Sequence, residues 1–160
     1  MFSWVKHLFI AAELEQGQKP SPWHEVWINV AQTLALRSKD PKTKVGCVLV
    51  SPDNRQIRIG YNGFAAGIPE PAERWERPTK YEYVIHAEEN AIINAKCDLA
   101  GWTCYVTLKP CEKCASKLVQ AGITRVIYLN DNTKSANYAL AESILREGNV
   151  QLSSYYEDIL

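Results

Sequence analysis

His86, Cys111 and Cys114 are the side chains here whose types and spacing allow joint chemistry, with Glu88 beside them. One imidazole and two thiolates suit a tetrahedral Zn²⁺ and leave its fourth corner for water. Water held there loses its proton near neutral pH and becomes a nucleophile. Glu88 is not needed as a ligand, so its carboxylate is free to carry a proton. A purely structural zinc would want a fourth protein donor, and His7 and His24 are the histidines left to supply one. A Cys-x-x-Cys pair alone also serves redox centres and zinc knuckles. Combined with His86-Ala87-Glu88, it points to metal-assisted hydrolysis.

These residues must be brought together by the elements that carry them. Pro110 suits a helix start, since it lacks an N–H that the first turn leaves unpaired. Cys111 and Cys114 then fall in the first turn of a helix over 111–120, where the helix dipole favours thiolate. His86 and Glu88 stand at the start of a second helix over 88–96. Ahead of them, Trp23, Val26, Trp27, Val30 and Leu34 share one helix face, ending near Arg37 before Asp40-Pro41. Residues 45–50 and 56–61 read as a hairpin turning at Pro52-Asp53-Asn54. Gly60-Tyr61-Asn62-Gly63 closes it, with glycines that let the backbone approach a neighbour or simply turn. Residues 64–83 form a long proline-bearing connection carrying Arg74, Trp75, Arg77 and Lys80, of the length that serves as a lid or binding loop. Strands follow over 102–108 and 125–129, then a last helix capped by Ser135 and running through Arg146, and an edge strand over 150–154. Helices alternating with strands predict an α/β chain: a central mixed sheet covered on both faces, with the two helix starts at one end of it.

Composition narrows the partners. Lys plus Arg number 18 and Asp plus Glu 18, so no net charge exists to hold a polynucleotide, and a small substrate is expected instead of nucleic acid. Of five cysteines, Cys47 and Cys104 lie in strand-like apolar runs as core residues, and Cys97 lies near a helix end. No apolar run reaches the ~20 residues of a membrane span, and residues 1–12 lack the pattern of a signal peptide. A cytoplasmic chain is expected: an N-terminal extension over 1–22, including an amphipathic helix over 1–16, then one zinc-binding domain over 23–160.

The chain resembles the cytidine deaminase superfamily, and within it the deoxycytidylate (dCMP) deaminases. The resemblance rests on Arg37-Ser38-Lys39-Asp40-Pro41 running into Val45-Gly46, on Gly60-Tyr61-Asn62-Gly63-Phe64, on His86-Ala87-Glu88 with Asn90-Ala91-Ile92, and on Thr107-Leu108 through Pro110-Cys111 and Cys114-Ala115 to Ala121-Gly122-Ile123. It implies a three-layer α/β/α deaminase-like fold with a mixed sheet of about five strands. It also implies His86, Cys111 and Cys114 as zinc ligands, Glu88 as the proton shuttle, and Asn62 and the Ala87 backbone as contacts to sugar and base. The activity implied is hydrolysis of dCMP to dUMP, the precursor for dTMP synthesis. Other cytosine derivatives (5-modified dCMP, dCTP, cytosine), a tRNA adenosine, or a non-catalytic zinc module are the alternatives. Many dCMP deaminases carry an extra histidine and cysteines for a second zinc, but residues 63–85 contain none, so one zinc is expected. A monophosphate calls for cations, and Lys44, Arg77 and Lys80 are the candidates. The family further implies a homo-oligomer, often a hexamer, with dCTP and dTTP as effectors.

Overall fold

A computed structural model of the chain describes residues 21–131 and 137–158. Five strands form one sheet, with residues 57–61, 46–50, 103–108, 125–130 and 151–154 side by side in that order. β1 (Gly46–Val50) pairs antiparallel with both β2 (Ile57–Tyr61) and β5 (Thr103–Leu108). β6 (Arg125–Asn130) and β7 (Gln151–Ser154) extend the sheet in parallel. The sheet is therefore mixed, and helices cover both faces.

The two layers follow from strand alternation, because successive side chains point to opposite faces. Val48 and Val50 meet α1 (Trp23–Ala35) through Trp27, Ile28 and Ala31, with Tyr105 and Ile127 joining from the neighbouring strands. Cys47 and Leu49 meet the other layer, built by α3 (Ala87–Ala95), α4 (Glu112–Gln120) and α5 (Tyr138–Glu147). β1 is buried along its whole length, as a strand covered on both sides must be.

Two close approaches set the distance between layers and sheet. A Cβ on Gly46 would lie 1.9 Å from the Ala31 carbonyl oxygen of α1, and one on Gly60 would lie 2.2 Å from the Ala87 carbonyl oxygen of α3. Glycine at 60 thus lets the backbone of α3 rest on β2, which resolves the turn-or-approach alternative at that position. Gly63 has nothing near its own Cβ position and is not held there by packing.

Several boundaries differ from the sequence reading. The connection after Phe64 is not structureless. β3 (Gly63–Phe64) pairs with β4 (Val84–Ile85), a 3₁₀ turn spans Ala72–Trp75, and a helical turn, α2, spans Lys80–Tyr83. Its aromatic residues supply the order: the Phe64 and Trp75 rings stack at 4.3 Å, and Arg74 lies over the Tyr83 ring. The last long helix begins at Tyr138 with Asn137 at its N-cap, while Ser135 lies outside the described residues. A final turn, α6 (Tyr155–Asp158), follows β7. The expected helix over 1–16, nearly all of the 1–22 extension and His7 also lie outside the described residues.

Candidate active site

His86 is the N-cap residue of α3 and Cys111 the N-cap residue of α4. The helix starts at Glu112, one residue later than the reading over 111–120, so Cys111 is its cap and Pro110 precedes the cap. Extended backbone at both caps turns their side chains toward the space between the two helix starts. Cys114, one turn into α4, reaches the same point from a buried position.

The His86 Nδ1 lies 3.5 Å from the Cys111 Sγ and 3.4 Å from the Cys114 Sγ. All three donor atoms fall within 4.8 Å of one another. Ligands at about 2.0 Å (N) and 2.3 Å (S) around a tetrahedral ion would stand roughly 3.6 Å apart, so the donor set fits zinc without rearrangement. Among the described residues the group has three donors and no fourth. His24 is turned elsewhere, its Nδ1 lying 2.7 Å from the Tyr105 hydroxyl.

Local electrostatics favour a thiolate. A hydrogen bond from the Cys114 thiol, assisted by His86, holds the Cys111 sulfur down to about 3, and Cys114 is pushed up correspondingly. Glu88 is 4% exposed, and burial pushes its carboxyl above the usual range for glutamate, with His86 pulling the other way. Its carboxyl is close enough to His86, Cys111 and Cys114 for all three to act on it, which places it beside the donor set. The arrangement can hold a metal, keep one face of it open, and pass protons through a buried carboxyl.

A cavity of about 260 Å³ opens onto this point. Asn62, Arg77, Lys80, His86, Ala87 and Glu88 all line it. Lys44 does not. Its ammonium donates to the Ser38 carbonyl, and it borders a larger open cleft of about 860 Å³ beside α1 that contains none of the metal donors. Lys80 lines the cavity but is buried, with its ammonium on the Asp40 carboxylate. Arg77 is exposed at the cavity wall, its guanidinium over the Tyr81 ring.

Other lining residues were missed from sequence, Lys109, Tyr138 and Thr43 among them. Lys109 directly precedes Pro110, a position that could have marked it. Tyr138 opens α5 far along the chain and Thr43 sits in an irregular segment, and no local pattern distinguishes either. Asn62 is buried and held by four partners, and Asn90 on α3 donates to the Tyr61 carbonyl at 2.8 Å, tying the end of β2 to the helix that carries Glu88.

Three side chains that could hold a metal, with an adjacent buried carboxyl, at two helix starts on an α/β/α sheet, are the arrangement expected of a zinc-dependent hydrolase of the deaminase fold. Residues 21–130 match the model of the cytidine and deoxycytidylate deaminase zinc-binding region. The chain belongs to that family. A probable deoxycytidylate deaminase of Caenorhabditis elegans is 44% identical over 118 residues, covering 71% of this chain and 60% of the worm protein. The deoxycytidylate deaminase of Homo sapiens is 41% identical over 130 residues, covering 77% of this chain and 73% of the human one. Among solved structures, the apo dCMP deaminase of cyanophage S-TIM5 superposes with a TM-score of 0.68 at 25% identity, over 86% of this chain and 99% of that one.

Proposed function

We propose that the chain deaminates dCMP to dUMP hydrolytically, with zinc held by His86, Cys111 and Cys114. The observation that carries this reading is the convergence of those donors, Glu88 and Asn62 on one cavity of about 260 Å³. Bound there, zinc supplies an acidified water as the nucleophile for C4 of cytosine. Glu88 would take up a proton at its carboxylate, deliver it to N3 of the base, and assist ammonia as it leaves. Its burial supports this role, since desolvation raises the carboxyl above the usual glutamate range and so favours its holding a proton. The Ala87 backbone and Asn62 orient the base and sugar.

Phosphate recognition falls to Arg77. Of the three cations named from sequence, Lys44 faces the other cleft and Lys80 is paired with Asp40, whereas Arg77 lines the cavity and makes no ion pair among the described residues. Arg77→Ala should raise KM for dCMP about tenfold or more while leaving deoxycytidine turnover little changed, because a charge-assisted contact is lost only with the nucleotide.

Ammonia release from a panel of dCMP, 5-modified dCMP, dCTP, deoxycytidine and cytosine tests the substrate reading. Preference for dCMP is the expected result, and preference for a free base or a triphosphate would redirect it.

Self-association, a cytoplasmic location and control by dCTP and dTTP belong to the same reading. Ile57, Ile59 and Tyr61 line one side of the edge strand β2 and are all partly exposed, which supports self-association. Light scattering of the purified protein checks this, and a monomer at micromolar concentration would end it. No helix among the described residues is long and apolar enough to cross a membrane.

A further inference from the structure

Asn62 has almost no hydrogen-bonding capacity left for a substrate, and what remains is of one kind. A side-chain amide offers two N–H groups and an oxygen with two lone pairs. The Asn62 Nδ2 donates to the Asp40 Oδ2 at 3.2 Å and to the Thr43 carbonyl at 2.9 Å, and its Oδ1 accepts the Val45 N–H at 2.8 Å. A carboxylate and a carbonyl can only accept and a backbone N–H can only donate, so these neighbours permit one orientation of the amide. Both N–H groups are occupied, and one lone pair of Oδ1 remains for the cavity that Asn62 lines.

Asp40, which is fully buried, is the one side chain among these partners and takes up the second N–H that would otherwise face the cavity. Its Oδ1 accepts the Lys42 N–H at 2.9 Å and the Thr43 N–H at 3.1 Å, while its Oδ2 takes both Asn62 and the Lys80 ammonium. A buried carboxylate stays charged only beside a countercharge, and Lys80, delivered by the helical turn α2, provides it.

We propose that Lys80 and Asp40 are positioning residues that fix the Asn62 amide so that the substrate meets only its oxygen, as a hydrogen-bond donor to it. This rests on the reading of Asn62 as a substrate contact. It assigns Lys80 to the support of that contact instead of to the phosphate.

Asp40→Asn is the discriminating variant. If its oxygen stays on the two backbone N–H groups, its amide turns N–H groups toward Asn62 and Lys80, so donors face donors. The kcat/KM for dCMP should fall roughly 30-fold or more at unchanged zinc content. Added to Asn62→Ala, the same change should cost no more than about threefold further, because the interaction it supports is already gone. Lys80→Met should behave like Asp40→Asn, and Lys80→Arg should recover most of the activity. Activity of Asp40→Asn within about threefold of the unaltered enzyme, or losses that multiply in the double variant, would overturn the proposal. Should Asp40→Asn not fold, the Lys80 pair decides, and equal activity of Met and Arg is the negative result. A substrate-free readout separates this proposal from the choice of dCMP. In the zinc-loaded protein the Asn62 side-chain NH₂ should exchange slowly with solvent and lose that protection in Asp40→Asn. Unchanged exchange would refute the positioning role, whereas inactivity of the unaltered enzyme toward dCMP would refute only the substrate.

Discussion

Glu88 is the residue on which turnover should depend without the metal depending on it. It is buried beside the three donors but is not one of them, so Glu88→Ala should retain stoichiometric zinc and lose about 10²- to 10⁴-fold in kcat. Metal analysis alongside steady-state kinetics checks both halves. Asp40 gives a prediction in pH. Burial opposes its charge, but Lys80 and the Lys42 and Thr43 N–H groups more than offset this and hold its carboxyl below the usual aspartate range. A carboxyl lowered on folding stabilises the fold above its ordinary value of about 3.9, and that stabilisation is lost as pH falls through the lower folded value. Thermal melts should therefore show Asp40→Asn less stable than the unaltered protein at neutral pH, with the gap narrowing as the pH drops below about 4. At this scale the sequence was most informative. Metal donors and proton carriers announce themselves by type and spacing, which is why His86, Glu88, Cys111 and Cys114 could be singled out together. Asp40 could not be distinguished from a surface aspartate before a proline, because its partner Lys80 lies forty positions away.

Among the elements, α3 matters most, since it carries Glu88 and rests on β2 through Gly60. A methyl group at 60 would meet the Ala87 carbonyl oxygen at 2.2 Å and the Ala91 nitrogen at 2.5 Å, both backbone atoms that cannot rotate away. Gly60→Ala should lower stability by about 1–3 kcal/mol and shift α3, reducing activity as well. Gly63→Ala, with nothing near its Cβ position, is the control and should change the melting temperature little. The core strand over 45–50 was legible as a short apolar, β-branched run, and the first helix by the helical spacing of Trp23, Val26, Trp27, Val30 and Leu34. The segment between Phe64 and Tyr83 was not. Its order comes from contacts such as Phe64 with Trp75, a pair whose ring contact leaves no periodic trace in the chain.

For the whole molecule, chelation should lower the melting temperature, and adding zinc back should restore it, because a ligand that binds only the folded state stabilises by mass action. Differential scanning fluorimetry across a zinc titration measures this directly. Zero net charge predicts weak retention on nucleic acid at physiological salt, which a filter-binding assay with tRNA checks. The overall architecture could be anticipated from the order of helices and strands, but the order β2-β1-β5-β6-β7 could not, since pairing partners are chosen by packing across the sheet.

The proposed zinc ligands come from two separate helix starts, one giving His86 and the other both cysteines, and each helix is fastened to the same sheet by its own buried face. An ion among them can leave only if those helices part or a ligand swings free, and burial of Cys114 restricts the second route. Release of the metal is thus tied to a breathing motion of the core. Isotopically labelled zinc should exchange slowly in the native enzyme and much faster in Gly60→Ala, where the seat of one helix is disturbed.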